Sequence, residues 1–305
     1  MPTYEYARVN VFTADRFGGN PLAVLTDARG LTDTQMQAIA REFNLSETAF
    51  VLPPDNPQHH ARVRIFTPKQ ELPFAGHPNV GTGFVLARAM DNPPEHLVFE
   101  EIAGLVRVHI LHDPAHRITG TRISAPRSLS IGDAVPTETV AICASLRPDD
   151  ILTTAHHPLF ASVGTEFAIA EIANLEALSR AAPDLAAFHA VGGLAAKPVD
   201  GGQPRFALLL YARHDNDTTR LRARMFGPLG GILEDPATGS ACAALAGLLT
   251  SMAPGEDVQL HFEIEQGVEM GRPSLLIASG KTTGGQVTAT VGGSCVPVGR
   301  GELDV

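Results

Sequence analysis

One motif of this chain returns about 160 residues later, which confines the chain to architectures with two related halves. Arg64-Ile65-Phe66-Thr67-Pro68 is echoed by Arg224-Met225-Phe226-Gly227-Pro228 at an offset of 160. After a three-residue insertion, Glu71-Leu72-Pro73-Phe74-Ala75-Gly76-His77 is echoed by Glu234-Asp235-Pro236-Ala237-Thr238-Gly239-Ser240 at an offset of 163. Each copy runs into small apolar residues, Val80 to Ala89 and Ala241 to Leu249. A single long repeat period predicts the same unit made twice: a strand, a Pro/Gly turn and a helix opening at a polar residue. If the halves face each other, the two turns form one site.

Alternating strands and helices would also suit a doubly wound parallel sheet. The repeat helices favour another α+β arrangement, because they are Ala, Gly, Val and Leu on every side, and a helix apolar all round is buried all round. A curved sheet rolled around a central helix, made twice, meets that requirement. The length of 305 residues suits two such halves.

Local patterns divide the chain further. Residues 6 to 12 alternate as a strand, and Phe17-Gly18-Gly19-Asn20-Pro21 turns into a second strand, Leu22 to Leu25. Thr32-Asp33-Thr34-Gln35 has capping-box spacing ahead of Met36, Ile39, Ala40 and Phe43, predicting a helix over about 33 to 43. Strands are expected at 47 to 52, Arg62 to Phe66, Val98 to Phe99 and Leu105 to Leu111. Asp91-Asn92-Pro93-Pro94 stops the first small-residue helix. Ser124 to Pro136 is the expected crossover between halves, 182 to 204 a short helix then a loop, and the alternating tail from Val287 to Leu303 a strand pairing with either half.

Charge and cysteines limit the function. A net charge of −10 argues against a nucleic-acid or anionic-membrane partner, both of which need a basic face. Cys143, Cys242 and Cys295 are odd in number and widely spaced, so neither a disulfide framework nor a zinc site is expected. With no basic leader followed by an apolar run, and no span-length apolar stretch, the expected location is the cytoplasm.

Four positions invite chemistry. In a strand over 47 to 52, Glu47 shares a face with Leu45, Ala49 and Val51, where a carboxylate is costly and its pKa is driven up. The reversed phase, with Phe50 and Leu52 inward and Glu47 in water, fits the pattern equally well. His77 and Ser240 open the two repeat helices, where unpaired N–H groups and the helix dipole hold anions. A plain N-cap is the alternative for Ser240, and a surface or core imidazole for His77. Asp235 beside the second turn could complete a proton-transfer set with Glu47, although Glu234 competes with it and Asp-Pro is an ordinary turn.

Other motifs fall away. Gly76 to Thr82 has phosphate-loop spacing without the lysine. His109, His112, Asp113 and His116 suggest a metal cluster, but Pro114 breaks the helix that would align them. His59-His60 and His156-His157 read as solvated pairs, and Cys242 as core.

Phe17-Gly18-Gly19-Asn20-Pro21-Leu22-Ala23-Val24, Asn44-Leu45-Ser46-Glu47-Thr48, the two repeat motifs and Gln266-Gly267-Val268-Glu269-Met270-Gly271-Arg272-Pro273-Ser274 together resemble the PhzF-like phenazine biosynthesis family along nearly the whole chain. The resemblance implies the diaminopimelate epimerase-like fold, with residues 1–125 as the N-terminal half, completed by 290–305, residues 126–289 as the C-terminal half, and the active site between them. It implies a cofactor-free, metal-free isomerase, homodimeric, acting on a small carboxylated substrate. In the family's founding activity a proton moves within a dihydro-hydroxyanthranilate.

Carried over by motif, Glu47 is the acid/base, with His77 and Asp235 beside it. Gly239 and Ser240 bind the carboxylate, and Asn20, Ser46 and Gly76 are further substrate contacts. Related epimerases and racemases use two thiols, whose places here are read as Ala75 and Pro236, which excludes two-thiol chemistry. An epimerase or lyase on an amino or hydroxy acid, or a binding module without turnover, remains the alternative.

Overall fold

The computed structural model describes residues 1–192, 206–214 and 217–305. Its first half comprises β1 (Thr3–Val11), β2 (Asn20–Leu25), α1 (Asp33–Phe43), β3 (Glu47–Leu52), β4 (Ala61–Phe66), β5 (Glu71–Leu72), α2 (Gly76–Arg88), β6 (His96–Glu101), β7 (Gly104–His112) and β8 (Ile118–Ser124). The second comprises β9 (Ser130–Ala134), α3 (Thr137–Cys143), β10 (Ile151–Leu152), β11 (Leu159–Ser162), β12 (Glu166–Ile172), α4 (Leu175–Arg180), α5 (Leu185–Val191), β13 (Leu208–His214), β14 (Asp217–Gly227), β15 (Ile232–Asp235), α6 (Gly239–Ser251), β16 (Gln259–Gln266) and β17 (Ser274–Thr283). A last strand, β18 (Gln286–Asp304), serves both.

The halves share one pairing scheme. In the first, β2 and β3 are parallel, as are β4 and β6, and the other neighbours are antiparallel. In the second, β12 and β13 and then β14 and β16 repeat the parallel steps. The tail does more than pair with one half: it pairs with β17 over Gln286 to Gly292, with β8 over Thr290 to Ser294, and with β1 over Cys295 to Asp304. This closes the first sheet around α2. The second sheet is stitched across its gap by Leu129 N–H donating to Val287 O at 2.7 Å.

Burial explains the composition of the two central helices. All of α6 from Gly239 to Thr250 is buried, as is α2 from Gly76 to Phe84. Small residues let the sheet close onto them: a Cβ on Gly81 would stand 2.5 Å from the Leu22 side chain. One apolar cluster therefore runs through both barrels. Two smaller clusters lie outside the sheets, one under α1 and one under α3 to α5. α1 has the expected bounds, with the Thr32–Gln35 capping box formed. Among the described residues no helix is long and apolar enough to cross a membrane.

One expectation needs correction. The segment 124 to 136 is not all crossover, since Ser130–Ala134 is a strand paired with β11. It is exposed along its whole length, so no hydrophobic alternation marks it. The helix expected after 182 is α5, while the loop beyond it lies outside the described residues.

The repeated Arg and Glu make matching clamps. Arg64 Nε and Nη2 donate to Glu71 Oε1 and Oε2 at 2.6 and 2.7 Å, and Arg224 does the same to Glu234 at 2.8 and 2.9 Å. Each guanidinium also sits 5.1 Å from the ring of Phe66 or Phe226. Such bidentate pairs fix the base of the turn on either side of the cleft.

Candidate active site

The cleft between the halves encloses about 100 Å³ and is bounded by Glu47, Asp235, Ser240, Phe74, Phe167 and Met225, among others. Glu47 reaches it because the strand phase is the inward one. Ala49 and Val51 join the central cluster, while Phe50 packs outside against α1. Glu47 is only 8% exposed. Glu234 is held by Arg224, which leaves the next residue of β15, Asp235, pointing into the cleft. Of the two neighbours the sequence could not separate, Asp235 is the one in the site.

Asp235 is gripped from both halves. Ser46 Oγ and Asn20 Nδ2 donate to its Oδ1, each at 2.9 Å, and Thr238 Oγ1 donates to Oδ2 at 2.6 Å. Gln266 supports it from below, Nε2 donating to the Asp235 carbonyl at 2.8 Å while Oε1 accepts from Thr238 N–H at 3.0 Å. Asn20 also donates to Ala237 O at 2.9 Å. Asn20 and Ser46, assigned by resemblance to the substrate, thus spend these donors on Asp235, and like Gly76, His77 and Gly239 they lie outside the set of residues lining the cavity. Thr238 and Gln266 were not singled out from sequence. Thr238 stood within the repeat, whereas nothing marked Gln266 beyond its place in the C-terminal motif.

The helix starts are uncapped. The α2 N-cap is Ala75, which has no side-chain acceptor, and the α6 N-cap is Thr238, whose hydroxyl is turned to Asp235 instead. Ser240 is therefore the second residue of its helix and not a plain N-cap, and His77 is the second of the other. Neither first turn carries an acidic residue. The helix starts also revise one correspondence within the repeat. Ala75 corresponds to Thr238 by cap and by the offset of 163, not to Pro236, and neither is cysteine.

These two N-termini touch. A Cβ on Gly76 would lie 2.6 Å from Ser240 N, and one on Gly239 would lie 3.2 Å from the Gly76 Cα. Two positive helix ends in contact repel each other, and an anion between them relieves that repulsion.

His77 lies behind Glu47 at 3% exposure, its Nδ1 3.2 Å from Glu47 Oε2 and 3.3 Å from Asn20 Nδ2. Burial lowers the imidazole pKa to about 3, against a hydrogen bond to the Pro21 backbone. The contact is therefore one of a neutral imidazole with a carboxyl group, not a salt bridge. Burial first, and the Asp235 charge second, push Glu47 well above the usual carboxylate range. Burial raises Asp235 to about 6, opposed by hydrogen bonds from Thr238, Ser46 and Asn20 and helped by Glu234. Two buried carboxyls that resist ionising together hold a proton near neutrality, as an acid/base site requires.

The sign of the pH effect follows. Asp235 has a folded pKa raised above its unfolded value, so its contribution to stability is fully present below the unfolded pKa and is lost as pH rises through about 6. Urea unfolding between about pH 4 and 6.5 should show the stability of wild type declining with pH relative to that of Asp235→Asn. An equal decline in both proteins would remove Asp235 as its source.

The histidines that hinted at a metal lie elsewhere. Asp113 is taken by Arg117 Nε at 2.7 Å and by the N–H groups of Ala115 and Arg117, each at 2.9 Å. Among the described residues no group of three or more His, Cys, Asp or Glu is arranged to hold a metal.

Two barrels around buried helices, with the site where the helix starts meet, define the diaminopimelate epimerase-like architecture. A PhzF family phenazine biosynthesis protein of Bacillus anthracis shares this fold with a TM-score of 0.84, at 23% identity and with 100% of each chain covered. The family pattern for "Phenazine biosynthesis-like protein" (PhzC-PhzF) matches residues 9–301, and the chain belongs to that family. An uncharacterized isomerase of Mesorhizobium japonicum is 40% identical over 307 residues, 99% of each chain. The trans-2,3-dihydro-3-hydroxyanthranilate isomerase of Pseudomonas fluorescens is 36% identical over 308 residues, 98% of this chain and 99% of the relative.

Proposed function

We propose that this member of an isomerase family moves a proton between carbons of a single-ring carboxylated substrate, with Glu47 as the group that takes and returns it. The observation that carries this reading is the arrangement of Glu47. Its carboxyl sits on an apolar strand face at the cleft, with its pKa raised, opposite two uncapped helix starts. The substrate carboxylate would rest on the amides of Gly239 and Ser240, fixing the ring against Phe74, Phe167 and Met225. Asp235, carrying the proton or the charge as Glu47 requires, keeps the pair from ionising together.

Size supports a small substrate. A cavity of about 150 Å³ admits benzene, so a cleft of about 100 Å³ has to open slightly for one ring and has no room for two. The trans-2,3-dihydro-3-hydroxyanthranilate used by the Pseudomonas relatives has that size and an acidic allylic C–H. It is the first compound to test.

Replacing the substrate carboxylate by a carboxamide should weaken binding by about 1.5 to 3 kcal/mol, since charge-assisted bonds to the helix amides are lost. Calorimetric titration of acid and amide side by side checks this. Equal affinity would place the carboxylate elsewhere.

A further inference from the structure

The repeat brings a third carboxyl into register with a residue of the site. Arg62 pairs with Glu100 across β4 and β6, and Arg222 pairs with Glu265 across β14 and β16, so Glu101 occupies in the first half the place of Gln266 in the second. By the offset of 163, Ala75 matches Thr238 and Asn79 matches Cys242. In the second half the neutral amide of Gln266 binds the N-cap, accepting from Thr238 N–H at 3.0 Å, and meets the Cys242 thiol at 3.5 Å.

In the first half, both Glu101 carboxyl oxygens are sealed from water and lack a hydrogen-bond partner of good geometry, as does Asn79 Oδ1. The Asn79 amide is the side chain that reaches the carboxyl, and its Nδ2 donates to Ala75 O, the N-cap carbonyl of α2, at 2.9 Å. The turn after Glu101 holds the same segment, with Ala103 N–H donating to Pro73 O at 3.0 Å.

We propose that Glu101 is a positioning residue of the active site, held as the neutral acid beside the Asn79 amide. It thereby fixes the first turn of α2 and with it Gly76 and His77. A carboxyl sealed from water with no cation beside it is held at least cost as the neutral acid, and in that form it copies the neutral shape of Gln266. Burial drives the Glu101 pKa well above its usual range, the Asn79 amide opposes it, and no charged side chain contributes.

The activity arm of the test rests on the proposed isomerase reading, and the other two arms do not. At pH 7 the infrared difference spectrum of wild type minus E101Q should contain a protonated-carboxyl C=O band, the Glu47 and Asp235 signals cancelling. The His77 imidazole ¹H–¹⁵N resonances should be unmoved in E101Q and displaced in E101A. If E101A does not fold, E101D, which withdraws the carboxyl by one methylene, gives the same reading. With trans-2,3-dihydro-3-hydroxyanthranilate, E101Q should keep kcat within about twofold and E101A lose roughly tenfold, as expected for a small misplacement of a catalytic turn. A carboxylate pair of bands in place of the acid band, or unmoved His77 resonances in the shortened variants, overturns the proposal even if no substrate turns over.

Discussion

Glu47→Gln should slow proton transfer by about 10³-fold, within the usual range for removing a general acid/base, and leave ligand binding within about threefold. The amide keeps the volume of the carboxyl and can donate to neighbours, so the inner face of β3 stays packed around it. It cannot accept a proton from carbon. The neutral His77 behind it is no substitute, since an imidazole with pKa lowered to about 3 is a very weak base. Kinetics followed by NMR, with calorimetry for binding, separate the two effects. Turnover within tenfold of wild type would assign the proton shuttle to another group.

The second large effect is expected from a single methyl group. Gly76→Ala places a Cβ 2.6 Å from Ser240 N, a backbone atom that cannot rotate away, so either the two helix starts separate or the cleft distorts. In an ordinary helix the same change gains up to about 1 kcal/mol. Overpacking typically costs about 1 to 3 kcal/mol, so the net sign is destabilising. Activity should suffer more, by about 10²-fold, because displacing the Gly239 and Ser240 amides, proposed to bind the substrate carboxylate, relative to Glu47 misaligns the reacting carbon. Gly299→Ala, where no atom stands within 4 Å of the added Cβ, is the matched control. Melting temperature and kcat/KM of both variants decide it, and a Gly76→Ala protein as active as the control would mean that the halves can part without harm.

Much of the architecture was legible because the chain repeats itself and because apolar periodicity is strong where burial is complete. The capping box gave the bounds of α1, and the all-round apolar helices gave the rolled sheets. β9 was illegible because a strand exposed along its length carries no alternation.

Site residues divide in the same physical way. Glu47 was recognisable as a carboxyl out of place, but only the packing of Phe50 against α1 fixes its phase. Choosing Asp235 over Glu234 required Arg224, ten residues earlier in sequence and bonded to Glu234 in space. The match of Glu101 to Gln266 was hidden by unequal turns, two residues between β6 and β7 against seven between β16 and β17. Asn20 and Ser46 were visible as motif residues, yet their hydrogen bonds to Asp235 depend on the two halves meeting.

The central claim is that a buried carboxyl carries a proton to and from substrate carbon. Its most direct test is ¹H NMR of the wild-type protein with trans-2,3-dihydro-3-hydroxyanthranilate in D₂O, beside Glu47→Gln under the same conditions. An isomer formed with deuterium at a single carbon by wild type, and absent with Glu47→Gln, is the predicted result. An isomer formed equally by both proteins, or ligand lines that broaden with no exchange at any carbon, would contradict it.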